Sequence, residues 1–461
     1  MDKNVNIYLE EAMQANAVQF DAIQYHKTDN PTYYIHTFGC QMNVRDSQSA
    51  AGILQSMGYT PAENMETADI ILFNTCCIRD LAEQKAVGAI GATRKLKEQK
   101  PAMIIGAFGC MMEQEGMIAN IHRRFPYLQL LFGTNRLHLL PDMLIDLQLH
   151  HKTHAGPEDT NKQFDLITAH NAPPLAYINI MQGCNNYCSY CIVPYVRGRE
   201  TSRPMQQILA EAEQLLQTGY QEIMLLGQNV NSYRDGAHDF ATLLKNVNAL
   251  GVPRIRFMTS HPKDLSPDVI AAMSDCDGVC KQLHLPVQSG SNAVLERMNR
   301  KCTREHYLKL ISRLRAAMPD IGLSTDIIVG FPGETEADFA DTLSLMEQVR
   351  FDSAFTFKFS PRRGTPAADM VDALSKEIKE TRLAQLNALQ RQITKEVFAA
   401  LVGQTMPVLI EGKSKRNQAH VSGKCERGIG VTLQGSQADI GKIIDVTITK
   451  ANVNTLFGVK A

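Results

Sequence analysis

Cys40, Cys76 and Cys110 each close a strand-like run (YYIHTF, DIILFNT and AMIIGAFG), with helical stretches from about Arg45 to Met57 and near Leu81 to Gln99 between them. Alternating strand and helix favour a parallel sheet, whose ligand site lies at the carboxyl ends of the strands. The spacings of 36 and 34 residues are about one βα unit each, so neighbouring strand ends can bring three thiolates to one point. TFGC at 37–40 and AFGC at 107–110 look alike, and Gly39 and Gly109 give the backbone room to turn beside a bulky group. A single cysteine is commonly a buried core thiol; three in register read as ligands of a metal cluster. Cys77 adjoins Cys76, and neighbours in an extended chain point opposite ways. Cys76 is taken as the ligand because it directly follows the strand.

A second triad is compact. Cys184, Cys188 and Cys191 lie in CNNYCSYC, directly after the strand-like LAYINIM, in a loop with Gly183, Asn185 and Asn186. Zinc normally completes four ligands, and no fourth Cys or His is close by. Three thiolates on a 4Fe-4S cube leave one iron open to a non-protein ligand. Two such triads imply cluster chemistry rather than electron storage alone. Cys276, Cys280, Cys302 and Cys425 lack a third partner at useful spacing and read as structural.

The 461 residues suffice for two or three domains, and the 11 cysteines without an export signal argue for metal or redox use over disulfides. No apolar run approaches the roughly 18 residues of a membrane span, and the first thirty residues do not read as a signal peptide. The expectation is a cytoplasmic protein with no membrane partner. A net charge of -1 predicts no global attraction to polyanions, so any nucleic-acid contact must come from local patches.

The expected fold class is α/β in three parts. A polar extension (1–31) precedes a Rossmann-like parallel-sheet domain (32–150), and a linker (151–173) leads to a partial (βα)6 barrel (174–402). The six barrel strands are LAYINIM, QEIMLLG, RIRFMTS, CKQLHLP, IGLSTDIIVG and DSAFTFKF. Their carboxyl ends, where such barrels gather their chemistry, carry Gln228, Asn229, His261, Gln288 and the turn Gly330, Phe331, Pro332, Gly333, Glu334. After a charged helix from about Leu374 to Leu401, five short β-like runs in 403–461 suggest a small closed barrel of oligonucleotide-binding type. Its loops hold Lys413, Lys415 and Arg416, then Lys424 and Arg427. These are expected to meet RNA phosphates and position the RNA without reading its sequence.

The Cys-x3-Cys-x2-Cys run on a six-repeat βα pattern resembles the radical S-adenosylmethionine (SAM) superfamily, and Tyr190 fits the aromatic commonly found before its last cysteine. GCQMN at 39–43 and NTCCIRD at 74–80 resemble the amino-terminal domain of the methylthiotransferases, and the last sixty residues resemble a TRAM domain. GCQMN is similar to the branch acting on isopentenylated adenosine of tRNA. The resemblance implies two 4Fe-4S clusters, SAM as radical source and methyl donor, and methylthiolation at carbon 2 of the adenosine at position 37. Tyr190, Gln228, Gln288, Gly330, Phe331, Gly333 and Glu334 are the residues expected to shape the SAM pocket. The partners it implies are the tRNA anticodon stem-loop, an electron donor such as flavodoxin and a sulfur source, with the enzyme a monomer. No side chain is assigned as acid or base, because the cofactors carry the difficult chemistry. The rival readings are a methylthiotransferase for threonylcarbamoyl-adenosine or for a ribosomal-protein aspartate, and a non-catalytic iron-sulfur RNA-binding protein.

Overall fold

The computed structural model describes residues 30–461 apart from 79, 151–153, 156–163, 165, 416 and 418. Residues 1–29 of the expected extension and about half of the expected linker lie outside the described residues. The chain divides into two compact units, one running to His170 and including Tyr195–Arg197, the other Asn171–Pro194 with Gly198–Ala461.

The first unit is built on six parallel strands: β1 (Thr32–Thr37), β2 (Thr60–Pro61), β3 (Ile70–Thr75), β4 (Ile104–Gly109), β5 (Leu130–Phe132) and β6 (His154–Ala155). They lie in the order β2-β1-β3-β4-β5-β6. β3 and β4 are buried along their whole length, which is why they read as near-continuous apolar runs. Leu54, Leu72, Phe108 and Phe132 fill the core on one face, with the Phe108 and Phe132 rings stacked at 5.3 Å. Helix α1 (Gln41–Ser56) follows β1, and α2 (Asp80–Ala92) follows β3. The helical stretch read to Gln99 breaks at Thr93, whose hydroxyl donates to the Ile90 carbonyl at 2.7 Å.

The second unit contains the six expected barrel strands: β7 (Leu175–Asn179), β8 (Glu222–Leu226), β9 (Arg254–Phe257), β10 (Gln282–His284), β11 (Gly322–Val329) and β12 (Ser353–Lys358). They form two parallel three-stranded sheets, β7-β8-β9 and β10-β11-β12, joined by a parallel bridge between Ile255 and Val279. β11 shows how the sequence builds this wall. Leu323, Ile327 and Val329 enter the apolar core, while Ser324, Asp326 and Ile328 alternate on the less buried face.

Helix α3 (Lys376–Ala399) leads to a five-stranded closed barrel. Its strands are β13 (Thr405–Lys413), β14 (His420–Cys425), β15 (Gly430–Gln434), β16 (Ile443–Ala451) and β17 (Leu456–Lys460), in the order β13-β14-β15-β17-β16. The β15–β17 pairing is parallel, and the other four are antiparallel. Val408, Ile410, Val421, Cys425, Val431 and Leu456 are among its core residues.

Candidate functional site

The adjacent strands β1, β3 and β4 deliver the first cysteine triad. Cys40 is the N-cap of α1, Cys76 directly follows β3, and Cys110 opens a 3-10 turn after β4. Gly39 (φ +110°) and Gly109 (φ +108°) sit in backbone conformations that side chains rarely adopt. A Cβ on Gly39 would lie 2.9 Å from the Cys76 Sγ, which places the loop before Cys40 directly against Cys76.

Two asparagines of the motifs frame these loops. Asn43 Nδ2 donates to the Phe38 carbonyl at 2.8 Å and the Thr75 carbonyl at 3.0 Å, linking the segments before Cys40 and Cys76. Asn74 Nδ2 donates to the Asn43 carbonyl at 2.6 Å and to Ser47 Oγ at 2.9 Å. Arg197 Nε donates to Cys110 Sγ at 3.1 Å, and its Nη2 donates to Asp46 Oδ2 at 2.6 Å and Asn43 Oδ1 at 3.2 Å. Burial pushes the Cys110 thiol up to about 12, against the opposing pull of Arg197 and with the charges of Asp46, Cys40 and Cys76 adding to it. A metal bound here would have to drive deprotonation, as metal binding to thiols does generally. Cys77 is also buried, and burial together with charge on Cys110 and Cys76 pushes its thiol well up.

The second triad follows β7. Gly183 has φ +74°, and a Cβ there would meet the Arg199 carbonyl at 2.1 Å, so only glycine lets the loop cross its neighbour. Cys184 N–H donates to the Gly198 carbonyl at 3.2 Å, and Cys191 N–H to the Cys188 carbonyl at 2.9 Å. Ser189 Oγ donates to the Arg297 carbonyl at 2.8 Å, pinning the loop. Arg300 Nη1 lies 3.5 Å from Cys188 Sγ, and its other arm donates to the Pro286 carbonyl. Burial, then the charge on Cys188, pushes Cys191 up to about 12. Tyr190 packs against the apolar group of Val294, Met298, Phe331 and Phe359.

Among the described residues no three Cys, His, Asp or Glu side chains stand close enough to hold a single metal ion. Neither triad is gathered as zinc would gather it, with sulfurs about 2.3 Å from one centre. Each instead offers three thiolates from one locality, the donor set of a cluster with one open iron.

The carboxyl ends of β7, β8 and β9 hold polar atoms with no hydrogen-bond partner: Asn179 Oδ1, Gln228 Oε1, both amide atoms of Asn231, Ser260 Oγ and His261 Nε2. Buried polar groups are normally satisfied, so such a cluster suits a polar ligand and fits SAM. Thr259 (φ +70°) and Gln288 (φ +78°) add two left-handed non-glycine residues beyond the ends of β9 and β10. Gln288 N–H donates to the Asp326 carbonyl, and its own carbonyl accepts from Ile328, both at 2.9 Å.

The turn after β11 is braced by its own side chains. Phe331 is fully buried against Phe359, and Glu334 is 3% exposed. The Glu334 carboxylate accepts from Gly330 N–H at 2.9 Å and from Arg382 Nη1 at 2.7 Å. These two side chains brace the turn from inside, and the following helix is capped by Thr335 instead. Gly333 presents its carbonyl to Arg297 Nη2 at 3.0 Å, and a Cβ on Gly330 would strike the Lys379 side chain. The turn can therefore offer a ligand only backbone.

The basic loops of the small barrel also divide. Lys413 and Lys415 are exposed, whereas Arg416 lies outside the described residues. Lys424 Nζ sits 3.6 Å from Glu411. Arg427 donates to the Asp352 carboxylate and the Asp320 carbonyl. Motif reading did not single out Asn179, Asn231, Ser260, Arg197 or Arg300. Position at or just beyond the carboxyl end of a barrel strand could have flagged the first three; no local pattern marks the two arginines.

Comparison with known proteins agrees with this architecture. Residues 178–346 match the radical SAM superfamily, 32–133 the uncharacterized protein family UPF0004, and 399–461 the TRAM domain. A protein of Thermoanaerobacter sp. (strain X514) named tRNA-2-methylthio-N(6)-dimethylallyladenosine synthase is 45% identical over 464 residues, covering 99% of this chain and 98% of that one. One of the same name from Clostridium beijerinckii is 46% identical, covering 92% and 95%. Two solved structures share the fold at low identity. The radical SAM methyltransferase TsrM from Kitasatospora setae, with tryptophan and a SAM analogue bound, gives a TM-score of 0.54 at 13% identity, covering 74% of this chain and 75% of that one. The cobalamin-dependent radical SAM enzyme OxsB gives 0.53 at 12%, covering 82% and 61%. With two cysteine triads at the carboxyl ends of parallel strands and such identity from end to end, the chain belongs to the family of the tRNA-2-methylthio-N(6)-dimethylallyladenosine synthases.

Proposed function

We propose that this chain, a radical SAM methylthiotransferase acting on tRNA, places a methylthio group on carbon 2 of N6-dimethylallyladenosine at position 37, beside the anticodon. The observation that carries the reading is the pair of three-cysteine sets in a chain whose relatives bear that name along their whole length. Cys184, Cys188 and Cys191 hold the 4Fe-4S cluster that binds SAM, and Cys40, Cys76 and Cys110 hold the second. When bound, the clusters and SAM supply a carbon radical, sulfur and a methyl group, chemistry that acid or base side chains do not offer at an unactivated ring C–H.

The chain's own groups bind and orient. Arg300 steadies Cys188 while anchored on Pro286, and Tyr190 packs beside the same loop. Gln228, with Asn179, Asn231 and Ser260, offers the unsatisfied polar atoms that SAM would take up, and Gln288 and the Gly330–Gly333 backbone shape the same mouth. Lys413 and Lys415 neutralise RNA phosphates and set register. The target base leaves the loop stack to reach the barrel. A flavodoxin-type protein delivers electrons, a separate source renews sulfur, and the enzyme works as a cytoplasmic monomer. No helix among the described residues is long and apolar enough to cross a membrane.

The test uses anaerobically reconstituted protein, isopentenylated tRNA and mass spectrometry of the nucleosides. Cys188→Ala should abolish SAM cleavage. Cys110→Ala should retain some cleavage and lose methylthiolation; sulfur transfer at the normal rate by this variant would remove the donor role of the second cluster.

A further inference from the structure

Arg197 stands in no cysteine motif, yet its guanidinium reaches the first triad. Its side chain is 4% exposed, and it spends one edge on Cys110 Sγ and another nitrogen on Asp46 and Asn43, both carried by α1. An arginine guanidinium keeps its charge in proteins, and the Asp46 carboxylate lies 2.6 Å from it as a counter-ion. A planar guanidinium suits this split duty, because a fixed fork can grip a carboxylate and aim an N–H at sulfur together. Asn43 ties the same assembly to the loops before Cys40 and Cys76, so the cation is held in place before any cluster is loaded.

A cube on three thiolates, two of them from the buried Cys76 and Cys110, carries net negative charge, which grows by one on reduction. A fixed cation with an N–H···S bond to a ligand sulfur favours the more negative state, and hydrogen bonds to sulfur are among the factors that set cluster potentials. We infer that Arg197 is the positioning residue of the second cluster: it orients Cys110 and, by charge and hydrogen bond, raises that cluster's reduction potential. This rests on reading Cys40, Cys76 and Cys110 as cluster ligands.

The experiment isolates that cluster in the full chain by replacing Cys184, Cys188 and Cys191 with Ala, then adds Arg197→Gln or Arg197→Lys. Iron is counted after anaerobic reconstitution, and reduction is followed by electron paramagnetic resonance during a redox titration. The parent without an Arg197 change must load about four irons; if it loads none, the ligand reading fails rather than this inference. In Arg197→Gln the reduced-to-oxidised ratio at a fixed potential should fall at least tenfold, which is 59 mV for one electron. Arg197→Lys, keeping the charge but not the fork, should fall between. Full loading of Arg197→Gln with an unshifted titration overturns the inference. If Arg197→Gln does not load, Arg197→Lys decides: recovered iron supports a role for charge, and continued absence overturns it in favour of side-chain shape alone.

Discussion

Arg427, in the hairpin between β14 and β15, holds both carboxylate oxygens of Asp352, the residue before β12, at 2.9 and 3.0 Å. Arg256 of β9 reinforces the junction by donating to the Cys425 carbonyl at 2.6 Å and the Glu426 carbonyl at 2.9 Å. A Cβ on Gly428 would fall 2.2 Å from the Gln282 side-chain oxygen, so the hairpin is packed against the start of β10. The small barrel is thus fastened at the amino ends of the strands, away from the face that carries the second cysteine triad.

Arg427→Ala should leave Asp352, 6% exposed, as a buried carboxylate without its partner. Breaking a buried pair from one side costs about 3–5 kcal/mol. Denaturant titration should register that loss, and limited proteolysis should release the carboxyl-terminal barrel first. Arg427→Met with Asp352→Leu should recover much of the stability, since an apolar pair of similar volume often replaces a buried ion pair without loss.

Gly109→Ala should disable the first triad. Its φ of +108° is strained for alanine, and the added Cβ would lie 2.4 Å from the Thr75 carbonyl. Strain of this kind costs about 1–3 kcal/mol, and the clash adds to it by pushing Cys110 away from β3. Gly116, at φ +72° with open space around it, is the control. Gly116→Ala should cost stability but keep all the iron, as judged by iron and sulfide counts beside thermal melts.

Cys76 and Cys77 should separate cleanly in the same assay. Cys76→Ala should lower iron from about eight to about four per chain, whereas Cys77→Ala should keep both clusters. An equal loss in both variants would shift the ligand assignment.

His261 predicts an acid limit on stability. Burial, then the charges of Arg300 and Lys263, lowers its pKa to about 2. The folded imidazole stays neutral while the unfolded one protonates below about 6.5. The stabilisation is therefore complete above the unfolded value and is lost as pH falls toward the folded one. At about 1.36 kcal/mol per pH unit, roughly 2–3 kcal/mol should be gone by pH 4.5. Denaturant titrations of the wild type and His261→Asn at pH 7 and 4.5 should show the variant losing less.

Legibility in the sequence followed the range of the interactions. The six barrel strands were readable because buried parallel strands are apolar runs with turn signals between them. The short strands Leu130–Phe132 and His154–Ala155 were not, having too few residues to show a period. The six thiols could be found because few other chemistries use cysteine in threes. Their frame could not: the Asn74 to Asn43 bond spans 31 residues and exists only once β1 and β3 pair with Thr37 opposite Asn74. The ion pairs of Arg427 and Glu334 are hidden for a related reason. Charge in a loop and a carboxylate in a glycine turn look available until the partner, 75 residues away for Arg427 and 48 for Glu334, is known.

The arc of six strands ends at β7 on one side and β12 on the other, and these two are not paired with each other. A complete eight-stranded ring can be entered only along its axis. For an interrupted ring the axis is not the sole geometric route. A nucleotide still joined to its neighbours need not be threaded along it, so the polymer does not have to be cut for one of its bases to be altered.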